Sequence, residues 1–157
     1  LLAHERTGIA GVARSKRNLE KLRKIAATER SDAGGSLIGD AFFRRKLAEL
    51  EIDLTALEFT ELRTLAGESS GKGPGPESSI LKIKGTEIQQ RLQELALEAV
   101  GHYGAPFLRD LKGSNIAVGP EYAEGVAGEY FNGRKTSIYG GSNEIQRNII
   151  AKMVLGL

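Results

Sequence analysis

Cysteine and tryptophan are absent from the 157 residues, histidine occurs twice and proline four times. Without cysteine there can be no disulfide, no iron–sulfur or thiolate zinc site, and no cysteine nucleophile. His4 and His102 alone do not make a histidine-rich metal site. No apolar run approaches the roughly 18 residues of a membrane-crossing helix. A net charge of +2 is too small, by itself, to argue for a nucleic-acid partner.

What is present is an ordinary folded composition, with 40% hydrophobic and 27% charged residues. The length suits one domain with a real core. The chain opens with Leu1, and its first residues already read as helix. The basic, apolar and small-residue succession of a signal peptide is missing. We therefore expect a trimmed domain of a longer, cytoplasmic protein.

Four long segments carry helical periodicity. The first runs from about Leu1 to Thr28, with Leu2, Ile9, Val12, Leu19, Leu22 and Ile25 mostly at helical intervals. It is rich in Arg and Lys, a face that is solvated by default and could otherwise meet phosphate. Ser31–Gly39 reads as a loop and Asp40 as the cap of the next helix. Phe43, Leu47, Leu50, Leu54 and Leu57 then recur every three or four residues, the seam of a helix packed along another. The pattern loosens but continues through Leu62 and Leu65. Gly67–Glu77, with Pro74 and Pro76, breaks the chain. The third helix places Ile88, Leu92, Leu95 and Ala99 on one face and ends at Gly101 and Gly104. After a long loop (Ala105–Gly119), a shorter helix spans Glu121–Tyr130. The last runs from about Asn143 to Val154, with Ile145, Ile149, Ile150 and Met153 expected inward. No strand pattern competes. The expected fold is all-α: a four-helix up-and-down bundle with a shorter helix and a long loop before the last helix.

Three stretches could carry chemistry. Glu5, in Leu2-Ala3-His4-Glu5-Arg6-Thr7-Gly8, is either a surface carboxylate on a helix end or, within an apolar pocket, a general base with a raised pKa. Tyr139-Gly140-Gly141-Ser142-Asn143-Glu144 opens a helix. It is either a capped tight turn or a place where backbone N–H groups face a phosphate or ribose. Gly101-His102-Tyr103-Gly104 is a helix C-cap or a point of close backbone approach to a cofactor.

Taken together, these stretches resemble the acyl-CoA dehydrogenases. Tyr130-Phe131-Asn132 and Ser137 through Lys152 (SIYGGSNEIQRNIIAK) are similar to the end of that family. His4-Glu5-Arg6-Thr7-Gly8-Ile9-Ala10 looks like the start of its C-terminal helical domain, and Gly101–Gly104 like the glycine turn between them. The resemblance implies that residues 1–157 are that domain alone, without the N-terminal helical and middle β domains. It implies FAD as cofactor, an acyl-CoA thioester as substrate, and desaturation of the α,β bond. It also implies an electron-transfer flavoprotein as acceptor and self-association as a dimer or tetramer.

Most members place the catalytic base directly after the tyrosine of the C-terminal turn. Here that position is Gly140, which has no side chain. A minority place it on the first helix of this domain, before an arginine. Here that position is Glu5, followed by Arg6. The resemblance thus makes Glu5 the base and Arg6, Tyr139 and Gly140 the substrate-binding residues. It makes Arg30, Gly101, Gly104, Ser142 and Glu144 the FAD-binding residues. Glu144 stands where Gln is frequent, and Ser31-Asp32-Ala33 replaces the aromatic-glycine pair that usually follows the arginine. Two other readings stay open. The chain could be a non-catalytic subunit of a heteromeric dehydrogenase. It could also be a helical oligomerisation module without cofactor, with the Phe43–Leu57 seam as its partner surface.

Overall fold

The computed structural model describes residues 10–71, 73, 75–106 and 118–157. Within these residues the chain forms five α-helices and no strand. They are α1 (Val12–Thr28), α2 (Ala41–Ser69), α3 (Glu77–Val100), α4 (Val126–Gly133) and α5 (Asn143–Leu155). Short 3-10 turns occupy Leu37–Gly39, Gly101–Gly104, Glu121–Ala123 and Arg134–Ser137. The all-α fold expected from the sequence is the one observed.

Each long helix contributes the apolar stripe its sequence announces. Leu19, Leu22 and Ile25 of α1 meet Phe43, Leu47, Leu50, Leu54 and Leu57 of α2 and Leu81, Ile88, Leu92 and Leu95 of α3 in one core. Helices this polar on their outer faces derive most of their stability from such a stripe. The Phe43–Leu57 seam is therefore interior, and it cannot serve as the partner surface of an oligomerisation module.

Cross-helix ion pairs fix the directions. Lys16 pairs with Glu58, and Arg23 with Glu51 at 2.6 Å, so α1 and α2 are antiparallel. Lys46 pairs with Glu98 at 2.8 Å and Arg91 with Asp53, so α2 and α3 are antiparallel too. These pairs are exposed and add little energy individually. They do mark the up-and-down arrangement.

Four local expectations change. Gly11 adopts φ 60° and ψ 31°, so the helix expected from Leu1 to Thr28 is interrupted and α1 begins at Val12. Helix α2 continues through Gly67 to Ser69, but Leu62 and Leu65 are exposed. The third difference concerns α5. Ile145 and Met153 are 52% and 54% exposed, whereas Asn143 and Gln146 are buried. The helix faces a polar neighbour, so its polar side turns inward. The Glu121–Tyr130 helix resolves into a 3-10 turn followed by α4, with Gly125 at φ 80° between them.

Candidate functional site

The turn that opens α5 is built on glycine. Gly140 and Gly141 have φ of 69° and 87°, a left-handed backbone that side chains disfavour. A β-carbon on Gly141 would also stand 2.7 Å from Gln146 Nε2. The turn then passes into α5 through Ser142, whose Oγ accepts from Ile145 N at 3.4 Å. Glu144 lies in the first helical turn. Its own backbone N–H and the Ser142 hydroxyl hold its carboxyl below the usual carboxylate range. Tyr139 is half exposed beside them. Tyr139, Gly140, Ser142 and Glu144 thus form one accessible cluster at a helix N-terminus.

Beneath this cluster lies a polar face of α3 that sequence reasoning missed. Lys82 is fully buried. Its Nζ donates to Asn143 Oδ1 at 2.7 Å and to the Ser137 carbonyl at 3.1 Å. Burial pushes the ammonium below the usual lysine range, and the Glu144 carboxylate opposes that shift. Ser79 Oγ donates to Gln146 Oε1 at 2.7 Å, and Gln146 Nε2 donates to the Gly140 carbonyl at 3.3 Å. Thr86 Oγ1 donates to the Ile83 carbonyl at 2.9 Å and lies 3.4 Å from the Asn143 amide. Ser79, Lys82 and Thr86 recur at helical spacing, but Lys84 beside them is an exposed lysine on the same helix, so spacing alone does not single out the buried one.

The other predicted cofactor residues lie elsewhere. Helix α1 runs alongside α3 in the same direction. Ala10 abuts Gly85, and Arg14 Nη2 donates to Gln89 Oε1 at 2.7 Å. At the far end, Glu29 accepts a hydrogen bond from Tyr122 at 2.8 Å, and Tyr103 lies near Tyr122. Arg30 therefore stands at the end where Gly101, at φ 55°, closes α3. Gly104 packs against Leu97, where a β-carbon would meet Leu97 Cδ1 at 2.5 Å. Nothing lies within 4 Å of a β-carbon on Gly101, while its own N–H is taken by the Glu98 and Leu97 carbonyls. From Lys82 to Gly101 the helix axis covers about 28 Å at roughly 1.5 Å per residue. The structure brings Tyr139, Gly140, Ser142 and Glu144 together, and groups Arg30 with Gly101 and Gly104, but separates the two groups.

Glu5 and Arg6 lie outside the described residues. A cleft of about 560 Å³ between the end of α2 and the start of α3, lined by Thr60, Arg63, Gly67, Glu77 and Ile80 among others, contains none of the predicted site residues. Among the described residues no cluster of His, Asp and Glu could hold a metal ion. No described helix is long and apolar enough to cross a membrane.

Comparison with known proteins agrees with this architecture. Residues 1–155 match the model of the acyl-CoA dehydrogenase C-terminal domain. The acyl-CoA dehydrogenase IpdE1 of Mycobacterium tuberculosis is 31% identical over 150 residues, covering 92% of this chain and 32% of that protein. The ChsE4-ChsE5 complex from Mycobacterium tuberculosis contains a chain with TM-score 0.71 and 25% identity, covering 93% of this chain and 36% of that one. Butyryl-CoA dehydrogenase from Megasphaera elsdenii shares the fold with TM-score 0.76 at 20% identity, over 98% of this chain and 37% of that one. The chain thus spans about a third of the length of these relatives. A family match over nearly every residue, on a helical fold that the relatives share, shows that this chain belongs to the acyl-CoA dehydrogenase family.

Proposed function

We propose that residues 1–157 are the C-terminal helical domain of an FAD-dependent acyl-CoA dehydrogenase that desaturates a thioester at its α,β bond. In this reading Glu5 removes the α-proton. The observation that carries it is the turn at Gly140. The position has no side chain and a left-handed backbone, so it holds no proton acceptor. A carboxylate on another element must then do that work, and Glu5 followed by Arg6 is the candidate. Arg6 would orient the carboxylate or the substrate. Tyr139 and Gly140 would flank the thioester.

The residues present suit FAD. Ser142 and Glu144 at an exposed helix N-terminus can accept hydrogen bonds from ribose-type hydroxyls. Gly101 offers an approach clear of side chains, and Arg30 offers a cation for the pyrophosphate. When bound, FAD supplies the acceptor for the β-hydrogen, and the protein supplies base, alignment and exclusion of water. The two groups of cofactor residues stand about 28 Å apart along α3. That separation supports self-association as a dimer or tetramer in which a second copy completes each site. Electron-transfer flavoprotein is the proposed acceptor, and the proposed compartment is the cytoplasm.

The test is Glu5→Gln in the intact polypeptide that carries this domain, with flavin bleaching by acyl-CoA followed in a stopped-flow instrument. Replacing the base should slow bleaching by at least about a hundredfold. An unchanged rate removes Glu5 from the role.

One observation favours a second reading, a heteromeric dehydrogenase in which this chain is the non-catalytic subunit. Gly140 lacks the usual base, and a two-component complex is among the similar structures. A colourless, inactive polypeptide that gains flavin and activity on co-expression with a second chain would establish it.

A further inference from the structure

We propose that Lys82 is a positioning residue that sets the Tyr139–Gly141 turn against α3. A buried ammonium is costly where its acceptors are neutral, and an apolar side chain of similar volume packs there at lower cost. Lys82 has two neutral acceptors, and they bracket the turn. The Ser137 carbonyl precedes it and Asn143 Oδ1 follows it. Ser79, one helical turn earlier on α3, ties the same segment a second time through Gln146 and the Gly140 carbonyl. The turn is thereby referenced to α3 as well as to α5, which it caps. Charge-assisted hydrogen bonds are shorter and stronger than neutral ones, so they hold a position more tightly.

The same stretch of α3 also seats Ala10. Three residues after Lys82, Gly85 lets α3 approach the Ala10 backbone closely. One helical turn therefore sets two distances, to the glycine turn and to Ala10, five residues along the chain from the proposed base. In a dehydrogenase both must converge on one substrate carbon, where small misplacements are expensive in rate. This kinetic consequence rests on the function proposed above; the anchoring itself does not.

The experiment compares Lys82→Met with the double variant Lys82→Met/Asn143→Leu in the intact polypeptide. Hydrogen exchange of the peptide covering residues 137–146, read by mass spectrometry, should accelerate about tenfold or more in Lys82→Met, corresponding to one lost charge-assisted bond. Peptides from the α1 and α2 core should stay unchanged. The double variant removes the orphaned Asn143 acceptor and leaves only the Ser137 carbonyl without its donor, so it should recover part of the melting temperature lost in Lys82→Met. It should still show a raised KM for acyl-CoA and a lowered kcat. Unchanged exchange at 137–146 overturns the proposal whatever the enzyme does. Full recovery of KM and kcat together with stability in the double variant also overturns it, by reducing Lys82 to packing. If the wild-type polypeptide does not reduce flavin with any acyl-CoA, the functional reading falls, and the exchange comparison alone decides the anchoring.

Discussion

A β-carbon on Gly85 would stand 2.6 Å from the carbonyl oxygen of Ala10 and 2.7 Å from its α-carbon. The contact is to backbone, so no side-chain rotation relieves it. Helix α3 and the segment leading into α1 touch here because one residue has no side chain. Gly85→Ala should destabilise the chain by roughly 1–3 kcal/mol, outweighing the gain in helix propensity. Gly128→Ala is the opposite case. Nothing lies within 4 Å of a β-carbon there, on the exposed side of α4, so it should stabilise by about 0.5–1 kcal/mol. Urea unfolding of the two variants, run in parallel, checks both signs.

Asp40 caps α2 by accepting from the Phe42 and Phe43 amides at 3.0 Å each, and it accepts from Ser31 Oγ at 3.2 Å. The Phe43 amide, followed by Ser31 and Phe42, holds its carboxyl below the usual range. A lowered folded-state pKa contributes stability above the unfolded value and loses it as pH falls through the folded one. Asp40→Ala should therefore lower the melting temperature at pH 7, and the difference from wild type should shrink below about pH 4. Asp40→Asn, which can still cap, should retain part of the stability at pH 7. Thermal unfolding from pH 2 to pH 7 reads the trend.

Tyr122 donates to Glu29 Oε1 at 2.8 Å across 93 residues of sequence. That carboxylate, with some burial, pushes the phenol up to about 12. A raised folded-state pKa contributes stability below the unfolded value of 10.0 and loses it as pH climbs through about 12. The stability difference between wild type and Tyr122→Phe should thus be constant from pH 7 to 9 and vanish between 10 and 12. Denaturant unfolding at stepped alkaline pH measures it.

Leu50 and Ile145 test where the core ends. Leu50 is fully buried, and Leu50→Ala should cost about 2–5 kcal/mol. Ile145 is half exposed, and Ile145→Ala in the 157-residue chain should stay within about 0.5 kcal/mol of wild type. A cost at Ile145 comparable to that at Leu50 would mean that α5 buries its apolar face after all.

Much of the site was legible without coordinates. The glycine pair, Ser142 as cap and the missing side chain at Gly140 all follow from residue types at a helix start. The Lys82 cradle was not legible in the same way. A lysine on a helix is usually solvated, and nothing local distinguishes one that is buried by a turn arriving 55 residues later. The separation of Arg30, Gly101 and Gly104 from Ser142 and Glu144 was equally hidden. It depends on which end of α3 each segment meets.

The sequence by itself determined the helices, because the spacing of apolar residues matches the period of the α-helix and Asp40, Gly101 and Ser142 mark ends by their own backbone chemistry. Only the tertiary structure decided which face of α5 turns inward. Periodicity places Ile145 and Met153 on a common side but says nothing of the surface opposite. That surface is the Ser79, Lys82 and Thr86 face of α3, and polar groups buried there require polar partners. Asn143 and Gln146 supply them, and the isoleucine is left outside.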